Sequence, residues 1–146
     1  MCIRDRCQCP PLVRQGKPSM NNPDIGKLVL RVSLALMLLL HGIAKLQHGV
    51  AWISSALQGM GLPGFFAYGV FIGEIIAPLM VLVGYQMRIG ALLIIGNMFA
   101  ALVIAHRGEF FSLNATGGWA IELQAFYLFV ALALFFLGPG KYALRR

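Results

Sequence analysis

The sequence is poor in charge, poorest in acidic residues, and its cysteines are confined to one end. Of its 146 residues, 12% are charged and only five are Asp or Glu. Soluble domains carry about a quarter charged residues. The chain is also 59% hydrophobic, with a mean hydropathy of +0.78. This balance excludes an ordinary soluble domain and indicates a membrane protein.

The three cysteines lie within the first nine residues, so the apolar body of the chain has none. The spacing of Cys7 and Cys9 matches neither a redox Cys-x-x-Cys motif nor a zinc site. The sequence therefore gives no support to thiol chemistry inside the membrane. Residues 1–19 also lack hydrophobic periodicity, and Met20 is a more natural start. We predict that 1–19 form a non-native or disordered extension and that 20–146 form a single membrane domain.

The net charge of +7 comes from basic residues that cluster near the ends of apolar runs. A nucleic-acid-binding protein would instead show a basic stripe interleaved with aromatic residues. The sequence has no such stripe, so we expect the lipid bilayer, and not a nucleic acid, to be its main partner.

Four apolar runs are each close to the ~20 residues that a helix needs to cross ~30 Å of hydrocarbon. The runs are Lys27–Leu46, Phe65–Gly84, Arg88–His106 and Trp119–Gly138. The first has a short uninterrupted apolar stretch, which also fits the hydrophobic region of a signal peptide. Because His41–Lys45 continues it helically and no cleavage site follows, we favour a true span. The predicted fold class is all-α, a transmembrane antiparallel four-helix bundle.

The distribution of Lys and Arg predicts the orientation of these spans. Ten of the twelve lie in the N-terminal segment, the Tyr85–Arg88 turn and the C-terminal tail, whereas Lys45 and Arg107 lie on the other side. By the positive-inside rule, both termini are cytoplasmic. The connection from Gln47 to Gly64 is then expected at the outer interface, where Trp52 would act as an anchoring aromatic residue.

Glu74 lies near the middle of the second apolar run. A charged side chain at the centre of a membrane helix costs roughly 2.5–3.5 kcal/mol on insertion scales, so it usually has a partner or a function. Pro78 follows four residues later and has no N–H to donate to the carbonyl group of Glu74. We therefore expect a polar group to meet this turn inside the membrane.

Most of the other polar side chains in the spans are predicted at a similar depth, in the outer half of the bundle. The inner half is expected to be nearly bare of polar groups. The predicted polar pocket consists of Glu74, His41, Glu122 and His106, with Asn97, Gln124 and Pro78 in supporting positions. Histidine and a desolvated glutamate can exchange protons near neutral pH or hold a polar headgroup. The alternative is that these side chains only form hydrogen bonds between helices.

Two further patterns bear on packing and on metals. Gly69 and Gly73 form a small-xxx-small motif, which predicts the close approach of a neighbouring helix. Carboxylate and imidazole groups also bind iron in helical bundles, but the Glu-x-x-His spacing of those bundles is missing here. We therefore expect no metal site.

The order and spacing of several motifs between Gly26 and Ala143 resemble the DoxX family of small bacterial membrane proteins. These motifs are Leu39–Leu46, Gly59–Pro63, Gly73-Glu74, Val83–Leu92, Gly117–Glu122 and Leu137–Leu144. The resemblance implies a multi-pass protein of the bacterial inner membrane. The family takes its name from a subunit associated with a quinol oxidase or a thiosulfate:quinone oxidoreductase.

The resemblance leaves three functions open. The first is an accessory or quinone-interacting component of a membrane redox system, since no self-sufficient catalytic motif or cofactor motif is evident. A bound quinone or a redox-enzyme subunit would then supply the chemistry. The second is a membrane scaffold without chemistry. The third is a small proton-coupled transporter, for which four helices would require a homo-oligomer.

Overall fold

The computed structural model describes residues 23–105, 108, 110–114 and 117–144. The predicted extension at 1–19 lies outside these residues. Within the described part of the chain the regular structure is helical, which confirms the all-α prediction, and its one pairing between extended residues joins Leu113 to Trp119. Three helices are long and apolar enough to cross a membrane.

The first of these helices is α1, Pro23–His48. Pro23 suits the first helical position because its missing N–H would have no partner there. Asp24 follows in the first turn and Lys45 lies in the last, as the helix dipole favours. The helix ends before Gly49, which has a φ of 79°.

The second long helix, Gly64–Val83, changes its winding along its length. It starts as a 3₁₀-helix at Gly64–Gly69, passes through a π-helical turn at Ile72–Ile76, and ends as α3, Ala77–Val83. Gly84 closes it with a φ of 78°, and the N–H of Tyr85 reaches back to the carbonyl of Met80. This left-handed closure is the usual function of glycine at a helix C-terminus.

The remaining helices are α4, Met87–Ala105, and α5, Glu122–Leu137. They pack along each other, and α5 also contacts α1. The predicted span Trp119–Gly138 was too long at its start, because Trp119–Ile121 belong to the preceding loop. With 16 residues, α5 is shorter than the three spanning helices.

The connection after α1 is also helical, contrary to the loop expected from the sequence. Residues Ala51–Gly59 form α2, a short helix that buries Ile53 and Leu57. These two residues are four apart, so they lie on one face. Trp52 is exposed on α2. The apolar face of α2 packs onto the start of the second long helix and onto α4.

Two apolar clusters hold the molecule together. The larger one joins α1, α3, α4 and α5 through Leu34, Leu38, Ala77, Val81, Met87, Ile94, Met98, Tyr127, Ala131 and Leu134. The smaller one lies beneath α2 and consists of Val50, Ile53, Leu57 and Ala67. The candidate site lies between the second long helix and α4, next to the smaller cluster.

Candidate functional site

Glu74 is paired with Lys45 of α1. The Lys45 Nζ donates a short hydrogen bond to Glu74 Oε1, and the two side chains form an ion pair. Glu74 is only 3% exposed, whereas the Lys45 side chain is 24% exposed. A buried carboxylate is tolerated when a cation compensates it, so Lys45 explains how Glu74 fits inside an apolar helix.

The two oxygens of the Glu74 carboxylate have different surroundings. Oε1 also faces Asn97 of α4, whose Nδ2 lies 3.5 Å away. Oε2 is buried and has no hydrogen-bond partner among the described residues. A carboxylate can accept about four hydrogen bonds, so this group is under-satisfied. Buried acceptors of this kind are rare and call for an explanation.

The backbone around Glu74 is distorted in a way that the sequence explains. The π-helical turn Ile72–Ile76 lies directly before Ala77 and Pro78. Proline cannot donate to the carbonyl four residues earlier. In the π-helical turn, the backbone hydrogen bonds span five residues, one more than in an α-helix. Single π-helical turns are frequent at functional sites. Here the widened turn carries the buried acid.

A glycine on α1 lets that helix approach the same turn. A Cβ added at Gly42 would lie 2.8 Å from the backbone oxygen of Glu74 and 2.8 Å from Cγ1 of Ile75. Any larger residue would therefore push α1 away from the second long helix. Lys45 lies one turn after Gly42, so this close contact also sets the position of the ammonium group.

The two glycines of the small-xxx-small motif differ in their surroundings. A Cβ at Gly73 would lie 2.3 Å from Cβ of Asn97, so Gly73 packs directly against that side chain. At Gly69 the same construction meets nothing within 4 Å. Gly73 is thus the residue that allows α4 to approach, while Gly69 lines an open space.

That open space is a groove of about 530 Å³ between α2, the second long helix and α4. Its walls are apolar and include several small residues, and its polar wall residues are Lys45 and Asn97. The lining consists of Lys45, Trp52, Ile53, Leu57, Leu62, Phe66, Ala67, Gly69, Val70, Ile72, Gly73, Leu92, Leu93, Gly96, Asn97, Ala100, Ala101, Ile104 and Ala105. Ligand sites commonly combine apolar walls with a few such polar groups.

The groove runs along α4 from Leu92 to Ala105, which corresponds to about 20 Å at 1.5 Å per residue. The small side chains Gly96, Ala100 and Ala101 keep its floor open. Lys45 has three donor hydrogens, of which Glu74 uses one. The groove therefore offers a long apolar channel with a cationic donor in its wall, a shape that suits an elongated apolar molecule with an oxygen-bearing head.

The described members of the predicted polar pocket have different surroundings. His41 is exposed, and its ring lies edge-on to that of Tyr127, with the centroids 5.9 Å apart. Glu122 is exposed at the start of α5, where its Oε2 is 2.6 Å from the position of a Cβ on Gly118. His106 lies outside the described residues. Glu74 is the buried member, and its contacts are with Lys45 and Asn97.

The supporting residues are distributed in the same way. Asn97 contacts Glu74, and Pro78 is buried immediately after the π-helical turn. Gln124 is half-buried on α5. In the described part of the chain, no group of three or more His, Cys, Asp or Glu side chains is placed to hold a metal ion.

Arg31 corrects the expectation that the inner half of the protein is nearly bare of polar groups. It is 1% exposed and donates to four backbone carbonyl groups. The acceptors are Val81, Leu82, Pro139 and Tyr142, at 3.0, 2.9, 2.8 and 3.4 Å. The guanidinium group thus joins α1 to the C-terminal end of α3 and to the segment after α5.

Three important residues were missed in the sequence. Lys45 and Arg31 were treated only as charges that report orientation. The sequence did contain a signal for Lys45. It lies four residues after His41, on the same face of the helix, and His41 is predicted to share a pocket with Glu74. Tyr127, which lies within electrostatic reach of Glu74, had no such signal because buried tyrosines are common in apolar helices.

Comparison with known proteins identifies a family and a relative. The family model described as DoxX matches residues 26–107, from the first turns of α1 to just beyond α4. A Bacillus subtilis (strain 168) protein named "Putative oxidoreductase CatD" is 29% identical over 105 residues, which cover 72% of this chain and 78% of that protein. No solved structure matches the chain. Since the family model covers more than half of its length, the chain belongs to the DoxX family.

Proposed function

We propose that this DoxX-family protein is a quinone-interacting component of a bacterial membrane redox system. The observation that carries the proposal is the apolar groove whose wall presents Lys45, with the under-satisfied carboxylate of Glu74 directly behind it. A quinone has two carbonyl oxygens on its ring and an apolar isoprenoid tail. Lys45 would donate to a carbonyl oxygen, and the small residues of α4 would contact the tail.

In this proposal the protein crosses the bacterial inner membrane with four helices and keeps both termini in the cytoplasm. The three long apolar helices support a multi-pass arrangement. The short helix α5 would be the fourth span, and at ~24 Å it requires local thinning of the bilayer or help from the flanking residues. The contact of Asp24 with Lys141 places the start of α1 next to the end of α5, as four spans require.

The proposed chemistry is limited to binding and to the placement of protons. The apolar body contains no cysteine, so electrons would pass between the quinone and a partner subunit. The name of the Bacillus subtilis relative includes the word oxidoreductase, which supports a redox context. Lys45 would orient the quinone ring by donating to a carbonyl oxygen, Glu74 would hold the Lys45 ammonium group in place, and Asn97 would fix the carboxylate by donating to Oε1.

Fluorescence of Trp52 tests the proposal directly, because this residue lines the groove. The chain has two tryptophans, so Trp119→Phe leaves Trp52 as the sole reporter. A short-tailed quinone in contact with the groove should quench Trp52 in a saturable manner. The purified protein in detergent is titrated with that quinone. The control titration uses an alkane of similar length mixed with a quencher that does not bind, and it should give no saturable quenching.

Gly96→Leu provides the blocking variant for this titration. Gly96 lines the groove, and a Cβ there meets nothing within 4 Å, so the leucine fills the groove without a clash in its first atom. The matched control is Gly26→Leu, since Gly26 is also a helical glycine with open space around it. We expect Gly96→Leu to abolish saturable quenching and Gly26→Leu to retain it. Equal quenching in both variants contradicts the proposal.

A membrane scaffold without a ligand is the second candidate, and one observation favours it. Glu74 contacts both α1 and α4 through Lys45 and Asn97, so the pair links three helices. If this is its only function, Glu74→Gln lowers stability while the cellular phenotype of the protein stays intact. Loss of the phenotype in a stably folded Glu74→Gln variant excludes the scaffold.

A further inference from the structure

A second cavity lies at the inner end of the molecule, which we define as the end where α1 starts and α5 finishes. It has a volume of about 990 Å³ and is lined by the turn before α4 and by the segment after α5. Asp24 of α1 completes it. This cavity is far along the second long helix from Glu74 and shares no lining residue with the groove.

The charge around this cavity is positive on balance. Arg88 and Lys141 line it from two different elements, and both are exposed. The acid in the lining, Asp24, offsets one of these charges, and its Oδ1 accepts the backbone N–H of Lys141 at 3.1 Å. Lys27 adds a third cation nearby, since its Cδ lies 3.3 Å from the position of a Cβ on Gly140. The cavity therefore attracts an anion.

The two walls that carry these cations are held in a fixed relation. Arg31 donates to the carbonyl of Pro139, which lines the cavity, at 2.8 Å and to that of Leu82, three residues before the lining residue Tyr85, at 2.9 Å. Ala143 also packs against Gly84, where an added Cβ would lie 2.7 Å from the alanine Cβ. A preorganised wall lowers the free-energy cost of binding.

The lining also includes exposed apolar side chains. Tyr85 and Ile89 are 42% and 48% exposed, and Ile89 continues into the apolar surface of α4. A free phosphate ion would leave these side chains without a partner. An amphipathic anion would use both parts, with its acidic head between the cations and its apolar chain along α4.

We propose that this inner cavity binds the phosphate headgroup of an anionic phospholipid. Arg88 and Lys141 hold the phosphate, and the acyl chains lie on Ile89 and the adjacent surface of α4. Each basic side chain near an anionic headgroup contributes about fivefold to the affinity. The site is independent of the quinone proposal, because its residues and its ligand are different.

The test counts the lipids bound to the full-length protein by native mass spectrometry. Phosphatidylglycerol and phosphatidylcholine with identical acyl chains are added in separate titrations. We expect phosphatidylglycerol to bind more tightly, and the double variant Arg88→Gln with Lys141→Gln to bind it roughly thirtyfold more weakly. Arg88→Lys keeps the charge and should retain most of the affinity.

Arg107→Gln is the matched control, because it removes one positive charge at the other end of the third apolar run and should leave the affinity unchanged. Equal binding of the two lipids overturns the proposal, and so does unchanged phosphatidylglycerol binding in the double variant. Displacement of phosphatidylglycerol by excess inorganic phosphate would show a site for a free anion and would likewise overturn it.

Discussion

Arg31 and Glu74 are both charged side chains buried in apolar helices, but their surroundings differ. The guanidinium group of Arg31 donates to four carbonyl groups and lies in a closed region. Glu74 has one oxygen with two partners and one oxygen with none among the described residues. A groove of about 530 Å³ lies just beyond Lys45 and Asn97.

This difference indicates two functions for buried charge. A buried ion that donates four of its five N–H groups to carbonyl groups of the protein, and that joins three elements, acts in stability. In the Lys45–Glu74 pair, Lys45 lines the groove and donates one of its three N–H groups to Glu74, so it retains hydrogen-bonding capacity for a ligand. On this basis we assign Arg31 a structural function and propose that the Lys45–Glu74 pair belongs to a binding site. Substitutions at Arg31 and around Glu74 test this distinction.

The largest effect is expected for Arg31→Leu. The substitution removes four charge-assisted hydrogen bonds, and the carbonyl groups of Val81, Leu82, Pro139 and Tyr142 lose the guanidinium donor. Hydrogen bonds to charged groups contribute about 1.5–3 kcal/mol each, so we expect the free energy of unfolding to fall by more than about 4 kcal/mol. Thermal unfolding in detergent measures it.

Arg88→Leu is the control for that substitution, because Arg88 is exposed and should change stability by less than about 0.5 kcal/mol. Arg31→Lys should give an intermediate loss, since an ammonium group cannot reproduce the planar fork of donors. An Arg31→Leu protein as stable as wild type would refute the structural assignment.

Lys45→Met should have the next largest effect on stability. It leaves the Glu74 carboxylate buried beside Asn97 without its cation, and the loss of one partner from a buried pair typically costs about 3–5 kcal/mol. The double variant Lys45→Met with Glu74→Leu removes both charges and should recover most of that loss. Chemical unfolding of the two variants measures the difference, and a double variant no more stable than Lys45→Met alone contradicts the pairing.

Gly73→Ala should be destabilising by about 1–3 kcal/mol, because its Cβ would overlap the Asn97 side chain at 2.3 Å. Gly69→Ala, four residues earlier, should stay within about 0.5 kcal/mol of wild type, since its Cβ meets nothing within 4 Å. The two melting temperatures test whether the motif acts through one glycine or both. Equal losses would mean that Gly69 also packs closely.

A small effect of the opposite sign, a gain in stability, is expected for Gly96→Ala. Its Cβ enters open space in the middle of α4, and alanine is favoured over glycine in a helix by roughly 0.5–1 kcal/mol. We therefore expect a slightly higher melting temperature. A lower one would indicate that the groove beside Gly96 is more closely packed than the structure shows.

The sequence was sufficient for the class of fold, since long apolar runs and the placement of Gly84 specify helices and their ends directly. It also identified Glu74 and Pro78 as unusual. It did not predict α2, because nine residues with a single apolar face resemble an interfacial loop when read in isolation. Nor did it identify Lys45 as the partner of Glu74, since pairing between spans depends on how the helices rotate and approach at Gly42.

The central claim is that the Lys45–Glu74 pair marks a quinone site, and the dissociation constant of a short-tailed quinone tests it most directly. The comparison is made by Trp52 quenching in the Trp119→Phe background, with and without Lys45→Gln and Glu74→Gln together. The two amides keep a hydrogen bond between the helices but remove the charged donor from the groove wall. We predict at least about tenfold weaker binding, equivalent to about 1.4 kcal/mol, with the fold intact. An unchanged dissociation constant would contradict the account.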